Sequence, residues 1–373
     1  MEINSKRDKD KIIYLINNVG FFVSHRLSLA IEAQRRGYDV YLITGLPGSK
    51  IIEAEAIDTI NKLSIKHIQL PFTSRGMNPI KELRSLWLLI KNIISIKPRI
   101  IHAASPKGIF YGALAGVFSG ADKIILSVSG MGFLFTTQKS ITTKLVASIY
   151  KMIMIIAVNI RKTVIIVQNN DDFLFWSNLI YSHSTYVSLI PGSGVDMNIY
   201  KDNQYNLDSK TVLFPARILI DKGIYEFVEA ARILKEKNSE WKFVIVGASD
   251  YDNPTAVGQD KIDSWVQEGI ISALGHQNNM VGVYSKASII CLPSYREGMP
   301  KVLLEAAASG LPVVTTDVIG CREAIIPNIT GLLVPSHNAE KLASAIQILI
   351  DNNYVTKNLG ELAKDTDLSK FIL

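Results

Sequence analysis

The residues best equipped for chemistry are two carboxylates, Glu297 and Glu305, in a segment that runs from Ser294 to Val314. Pro300 suits the first position of a helix, small and apolar side chains carry it to Ser309, and Gly310 with Pro312 ends it. A helix starting after Gly298 and Met299 leaves amides there and at Lys301 without intrahelical partners, at the positive end of the helix dipole. Such a start favours an anionic or multiply hydroxylated ligand. Glu297 precedes the helix and Glu305 lies inside it, so spacing does not put them on one face as an acid and base pair. Each can accept hydrogen bonds from a different part of one ligand, as carboxylates do from hydroxyls. On spacing alone the segment can equally be a crossover helix carrying two solvated glutamates.

Two cations, Arg217 and Lys222, stand between an apolar strand at Thr211–Pro215 and a helix at Gly223–Glu236. Cations at the carboxyl end of a strand can neutralise a diphosphate. The same two charges also suit a solvated loop. In the first half, the run Asn17 to Arg26 fills a strand-to-helix loop in which Gly20 lets backbone approach a ligand. His102 ends a strand, where a lone histidine is more often structural than catalytic. Ser129 to Phe133 can shape a binding loop or simply turn the chain.

These elements require a scaffold of alternating strands and helices. Strands are expected at Ile12–Ile16, Val40–Thr44, Ile65–Leu70, Arg99–His102, Lys123–Val128 and Thr163–Val167. Helices between and after them are expected near His25–Arg36, Ile51–Lys62, Pro79–Ile96, Pro106–Ser119, from Ile141, and at Asp171–Leu179. A second alternation begins at Thr211, with strands at Trp241–Val246, Ile270–Leu274, Ala287–Leu292 and Pro312–Thr316 and helices that include Gly223–Glu236 and Lys301–Ser309. That rhythm predicts α/β domains with mainly parallel sheets covered on both faces. The polar, glycine-containing stretch 191–210 reads as a hinge between a domain at 1–190 and another at 211–373.

A chain of 373 residues, 48% hydrophobic and 20% charged, is long enough for two cores. Its net charge of +6 conceals an asymmetry: residues 1–190 hold 23 Lys+Arg against 12 Asp+Glu, and residues 191–373 hold 17 against 22. A basic first half suggests an anionic partner such as lipid headgroups or a diphosphate, and no basic and aromatic motif points to nucleic acid. Two cysteines, Cys291 and Cys321, both beside apolar strands, are expected as buried thiols in a reducing cytoplasm rather than a disulfide or metal site. Basic residues before Ile12–Val23 mimic a signal peptide, but Asp8, Asp10 and Asn17–Asn18 interrupt the pattern. The longest apolar run, Ile141–Val167, is broken by Lys144, Lys151, Arg161 and Lys162, and suits a core helix or one lying on a membrane. The Asp-x-Asp triplets at Asp250–Asp252 and Asp365–Asp367 could in another fold hold a divalent ion.

Glu297, the residues to Glu305 and the run to Val314, followed by Gly320–Ala324 and Asn328–Pro335, resemble the signature of the retaining family 4 glycosyltransferases. The resemblance implies a GT-B architecture, two Rossmann-like domains facing a cleft, with the nucleotide sugar bound by the second domain and the acceptor by the first. It covers nearly the whole chain and is most specific in the second half. It implies catalytic roles for Arg217 and Lys222 on the departing diphosphate, for Glu297 on the sugar, and for His102 as a sugar and transition-state contact. Gly20, Gly298, Met299, Pro300, Lys301 and Glu305 become substrate-binding residues, with Glu305 on the ribose. Gly20 replaces part of the Gly-Gly pair common in the family. The Phe21, Phe22, Ser24, His25, Arg26 form looks like a branch that includes bacterial polysaccharide and glycan-assembly transferases. Arg26 and Lys107 are candidates for an acceptor phosphate. No cofactor and no metal is expected, because such enzymes use a helix dipole and cations. The expected partners are a nucleotide sugar, uridine-linked by family analogy, a lipid-diphosphate-linked saccharide, and an anionic membrane at its cytoplasmic face. Two other readings fit the same scaffold: a GT-B nucleotide-sugar epimerase, which needs no acceptor, and a non-catalytic nucleotide-sugar-binding protein. The presence of Arg217, Lys222, Glu297 and Glu305 together favours catalysis.

Overall fold

The chain divides into two compact units, Met1–Leu189 and Ile190–Leu373. The computed structural model describes residues 9–47, 50–73, 78–129, 141–200, 209–237, 240–250 and 253–352.

The first unit is built on β1 (Lys11–Ile16), β2 (Asp39–Thr44), β3 (Lys66–Gln69), β4 (Ile100–Ala104), β5 (Lys123–Val128), β6 (Thr163–Val167) and β7 (Tyr186–Leu189). They form one sheet in the order β3-β2-β1-β4-β5-β6-β7, with every pairing parallel. Parallel neighbours need crossovers. These are α1 (Val19–His25), α2 (Leu27–Arg35), α3 (Lys50–Lys62), α4 (Pro79–Ile96), α5 (Pro106–Phe118), α6 (Ile141–Ile160) and α7 (Asn170–Ser177). The strand alternation of β1 divides the core into two layers. Ile13 and Leu15 pack with Leu89 and Ile93 of α4, Tyr111 of α5, Val158 of α6 and Trp176 of α7. Ile12, Tyr14 and Ile16 pack with Phe22 of α1, Ala30 of α2 and Ile60 of α3. Helices α4 to α7 therefore cover one face and α1 to α3 the other.

The second unit repeats this plan with β8 (Thr211–Pro215), β9 (Lys242–Val246), β10 (Ser272–Ala273), β11 (Ile289–Leu292), β12 (Val313–Thr316) and β13 (Gly331–Val334). Its parallel sheet runs β10-β9-β8-β11-β12-β13. Val212 and Phe214 face α9 (Ile224–Lys235), α10 (Gln259–Gln267) and α13 (Ala339–Asp351). Leu213 faces α8 (Met197–Tyr200), α11 (Met280–Tyr284) and α12 (Lys301–Ala308). In each sheet the strand order reverses once, between β1 and β4 and between β8 and β11. Helices leaving to opposite faces at such a reversal open a crevice at the carboxyl ends of the strands, which is where ligands bind in open α/β sheets.

Several elements differ from the sequence expectation. The helix expected at His25–Arg36 is α2, but a second helix, α1, precedes it in the expected loop, started by the Asn18 side chain accepting from the Phe21 amide at 2.8 Å. Only Asn17 and Asn18 separate β1 from α1, so Gly20 sits in a helix and not in a loop. The edge strands β7 and β13, four residues each, were not expected; β7 is exposed at both ends, whereas β13 is apolar and buried at both ends. The long run from Ile141, by contrast, is as expected a helix and then a strand, broken at Arg161 and Lys162. Residues 191–200 of the expected hinge group with the second unit, where Val195 and Tyr200 are buried in the core. Residues 201–208 lie outside the described residues.

Candidate functional site

The β8/β11 reversal gathers most of the charged residues singled out above. Lys222 closes a short 3₁₀ turn, Ile220–Lys222, that ends on Gly223. Gly223 has φ 74°, and a Cβ there would lie 2.0 Å from the Pro293 carbonyl oxygen. Only glycine lets the loop after β8 press so closely on the loop after β11. The two loops are then tied by polar contacts. The Lys222 ammonium donates to Glu297 Oε1, Ser294 Oγ donates to the same oxygen at 2.7 Å, and the Tyr295 amide donates to the Asp221 carbonyl at 2.9 Å. The Lys222 and Glu297 side chains are 19% and 13% exposed, so this ion pair is only partly solvated. Arg217 stands more openly at 57% exposure, with Nη1 2.8 Å from Asp250 Oδ2.

Helix α12 begins at Lys301, with Pro300 extended at the cap position (φ −72°, ψ 110°) and not inside the first turn. The preceding loop is fixed by its backbone. The Glu297 amide donates to the Ile319 carbonyl at 3.0 Å. Gly320, at φ 84°, would place a Cβ 2.5 Å from the Glu297 oxygen and 2.7 Å from the Gly298 oxygen. Any side chain at Gly320 must push the Glu297–Gly298 backbone outward. Met299 is buried against Gly192.

Glu305 lies one helical stretch further on and is buried. Tyr284 Oη donates to its Oε2 at 3.0 Å, and Lys301 Nζ lies 3.4 Å from its Oε1. Burial, with the Glu305 charge adding to it, holds the Tyr284 and Tyr200 phenols well above their usual pKa, so both stay protonated donors. The two glutamates thus have different surroundings: Glu297 answers to a lysine and a serine, Glu305 to a tyrosine and a lysine. Ser294, Tyr284 and Gly320 complete the site and were not singled out for it by sequence. Gly320 opens a run that carries the family resemblance, while Tyr284 has no sequence signal.

The β1/β4 reversal of the first unit is more closed. The Asn17 amide donates to Ser105 Oγ at 3.0 Å, and Ser105 holds a left-handed φ of 69°. The buried Glu53 of α3 accepts from the amides of Val19 at 3.0 Å and Gly20 at 3.3 Å. The Gly20 amide, expected to meet a ligand, is therefore engaged by a carboxylate of its own unit. His102 is buried in β4, with Nε2 2.8 Å from Ser127 Oγ and its ring against Tyr14. Burial first, and the nearby Arg26 charge second, push its pKa down to about 3, so the imidazole is neutral. Arg26 is itself buried; desolvation lowers its pKa to about 10, and its Nε has no hydrogen-bond partner among the described residues. Lys107 does not stand free for a phosphate: its ammonium is 2.8 Å from Glu82 of α4, which also accepts from Tyr111. The Ser129–Phe133 loop, apart from Ser129, lies outside the described residues.

Among the described residues no group of three or more His, Cys, Asp or Glu side chains could hold a metal ion. Asp250 of the first Asp-x-Asp triplet is paired with Arg217, and residues 251, 252 and 365–367 are outside the described set. Cys291 and Cys321 are buried free thiols; burial pushes both up in pKa, Cys321 to about 12, which leaves them inert. No described helix is long and apolar enough to cross a membrane.

Comparison with known proteins matches residues 197–366 to the family described as glycosyl transferases group 1 and residues 11–170 to the family described as glycosyl transferase 4-like. The chain is 27% identical over 368 residues to an N,N'-diacetylbacillosaminyl-diphospho-undecaprenol alpha-1,3-N-acetylgalactosaminyltransferase of Campylobacter jejuni, covering 94% of this chain and 92% of that one. It is 27% identical over 311 residues to a UDP-Gal:alpha-D-GlcNAc-diphosphoundecaprenol alpha-1,3-galactosyltransferase of Escherichia coli, covering 79% and 78%. Among solved structures, sucrose-phosphate synthase of Thermosynechococcus elongatus superposes with a TM-score of 0.74 at 20% identity, covering 98% of this chain and 95% of that one.

Proposed function

Because the chain belongs to the group 1, family 4 glycosyltransferases of the GT-B fold, we propose that it transfers a hexose or N-acetylhexosamine from a uridine diphosphate sugar to a lipid-diphosphate-linked saccharide, with retention of anomeric configuration. The observation that carries the reading is the Lys222–Glu297 ion pair at the β8/β11 reversal, with Arg217 in the loop after β8 and the buried Glu305 in α12. The donor and acceptor classes rest on the two relatives named above, one of which uses UDP-galactose and both of which act on diphospho-undecaprenol saccharides. The acceptor places the work in bacterial surface glycan assembly, at the inner face of the cell membrane.

In this mechanism the bond from the sugar's anomeric carbon to the diphosphate oxygen breaks as the acceptor oxygen bonds to the same face of that carbon. The acceptor's proton passes to the departing phosphate oxygen. Arg217 and Lys222 stabilise the charge that develops on the leaving group. An ammonium has three N–H donors, so Lys222 can keep Glu297 oriented while it donates to phosphate. Glu297 and the amides of Gly298, Met299 and Lys301 hold the sugar, and Glu305 accepts from the ribose hydroxyls. His102, neutral at physiological pH, offers a hydrogen bond to a sugar hydroxyl and not a charge. The two cations supply the charge that a divalent ion supplies elsewhere, so turnover is expected to survive chelation by EDTA.

The test is release of nucleoside diphosphate from a panel of nucleotide sugars, with and without a bacterial lipid extract, with the product linkage read by NMR. Release from a uridine sugar that requires the extract, with label in the lipid fraction and an α-linkage from an α-donor, supports the proposal. Sugar isomerisation without an acceptor, or an inverted linkage, contradicts it.

A further inference from the structure

Helix α4 is tied inward by one face and left bare on the other. Leu89, Ile93 and Ile96 are buried in the sheet-facing core, and Glu82, its only acidic residue, turns to Lys107 and Tyr111 of α5. On the opposite face Ile80, Leu83, Trp87 and Ile94 are 79%, 67%, 61% and 52% exposed. Their spacing at i, i+3, i+7 and i+14 makes one continuous apolar stripe. Lys81, Arg84 and Lys91 are exposed along it, and the Lys91 ammonium lies 5.6 Å over the Trp87 ring.

The neighbouring helices extend this surface. Helix α5 packs between α4 and α6 on the same face of the sheet, and Phe118 at the end of α5 and Met152, Ile156 and Ile160 of α6 are exposed there as well. The opposite face of that sheet, under α1 to α3, shows among the described residues of those helices only Ile31 as an exposed large apolar side chain. An apolar stripe bordered by lysine and arginine, with an aromatic ring and a cation stacked at its centre, matches the water–lipid boundary of an anionic bilayer. A protein partner would have to be both apolar and acidic to fit as well.

We propose that α4 is the membrane-contacting element: it lies in the headgroup layer of an anionic bilayer, buries Ile80, Leu83, Trp87 and Ile94 at the acyl boundary, and sets Lys81, Arg84 and Lys91 against lipid phosphates. This rests on the proposed lipid-linked acceptor and goes beyond it by naming the surface. Because α4 starts at the carboxyl end of the first unit's sheet, its N-terminus brings the β1/β4 end of that unit to the lipid surface. Helix α6, which the sequence alone leaves as a core helix or one lying on a membrane, has a supporting place on the far side of α5.

Trp87 makes the proposal directly measurable. The other three tryptophans, Trp176, Trp241 and Trp265, are buried, so acrylamide-quenchable emission reports Trp87. Full-length protein is titrated with phosphatidylcholine vesicles, with and without phosphatidylglycerol, and quenching is followed alongside flotation. The expected result is flotation only with the anionic vesicles, loss of quenching on binding, and a fall of roughly tenfold or more in partitioning for Leu83→Asp/Trp87→Asp. Near-UV circular dichroism checks that this variant is folded, and Trp87→Phe should bind vesicles while losing the quenching signal. Flotation with Trp87 still fully quenchable overturns the proposal, as does undiminished flotation of the double variant. Protection of Trp87 by raising protein concentration without vesicles also overturns it and identifies a second copy as the occupant. Turnover on a short-chain, water-soluble acceptor separates the outcomes: its persistence in the double variant keeps the transferase reading whatever the vesicles show, and its absence in the wild type counts against that reading alone.

Discussion

At the β8/β11 reversal the loops carry Arg217, Lys222, Ser294 and Glu297, each side chain paired. At the β1/β4 reversal the corresponding places hold Asn17 and Ser105, which bond to each other, and Gly20 in the first turn of α1, whose amide is taken up by the buried Glu53. Topology alone supplies a crevice in both places. Chemistry separates them: the second unit presents two cations, Arg217 and Lys222, while the first presents a neutral histidine and one buried arginine. A fold of this kind fixes where a ligand goes, and the loop side chains fix which ligand it is.

The contrast is broken most severely at Lys222. Lys222→Ala removes a cation from the leaving group and strands Glu297 in a partly buried place, and kcat should fall by about 100- to 1000-fold with donor saturating. A double-mutant cycle with Glu297→Gln should show strong coupling, since the two side chains share one ion pair. Gly320→Ala comes next. Its left-handed φ and the 2.5 Å approach to the Glu297 oxygen predict a loss of about 1–3 kcal/mol of stability together with a lower kcat, measured by chemical denaturation and initial rates.

Much of this was legible in the sequence, and the reasons differ by region. The Glu297–Glu305 segment, Arg217 and Lys222 stand out as charged residues beside glycine and proline punctuation, although spacing alone also suited solvated loops and the family resemblance supplied their proposed roles. The strand rhythm gave away both sheets, since buried parallel strands read as apolar runs. Edge strands β7 and β13 were missed, four residues being short for a pattern to show, with both ends of β7 exposed as well. Tyr284 reaches Glu305 from another helix, and sequence carries no trace of a pairing across 21 positions. Glu53 was missed for the same reason: it lies 33 residues from Gly20 and looks like an ordinary acid in a helix's first turn. Gly20 was expected in a loop because a glycine between Asn17–Asn18 and an aromatic pair reads as a turn, whereas the Asn18 cap starts α1 before it.

In the first unit smaller effects are expected, of stability more than of donor handling. Glu53→Ala leaves the Val19 and Gly20 amides without their acceptor and should cost about 1–2 kcal/mol, with no change in uridine nucleotide affinity. His102 gives a pH signature. Its folded pKa lies at about 3, below the ordinary 6.5, so the unfolded chain binds the proton first as pH falls. The stability this residue lends is complete above about 6.5 and declines toward about 3, by at most about 1.4 kcal/mol per pH unit, and His102→Asn should flatten that part of the denaturation profile.

The central claim is that the donor's diphosphate is met by the cations of the β8/β11 reversal. Isothermal titration of UDP into the full-length wild type, an Arg217→Ala/Lys222→Ala variant and an Arg26→Ala variant tests it most directly. The account predicts UDP affinity weakened by roughly tenfold or more in the double variant and unchanged in Arg26→Ala. Undiminished UDP binding without Arg217 and Lys222, or binding that is lost with Arg26 in a folded protein, would contradict it.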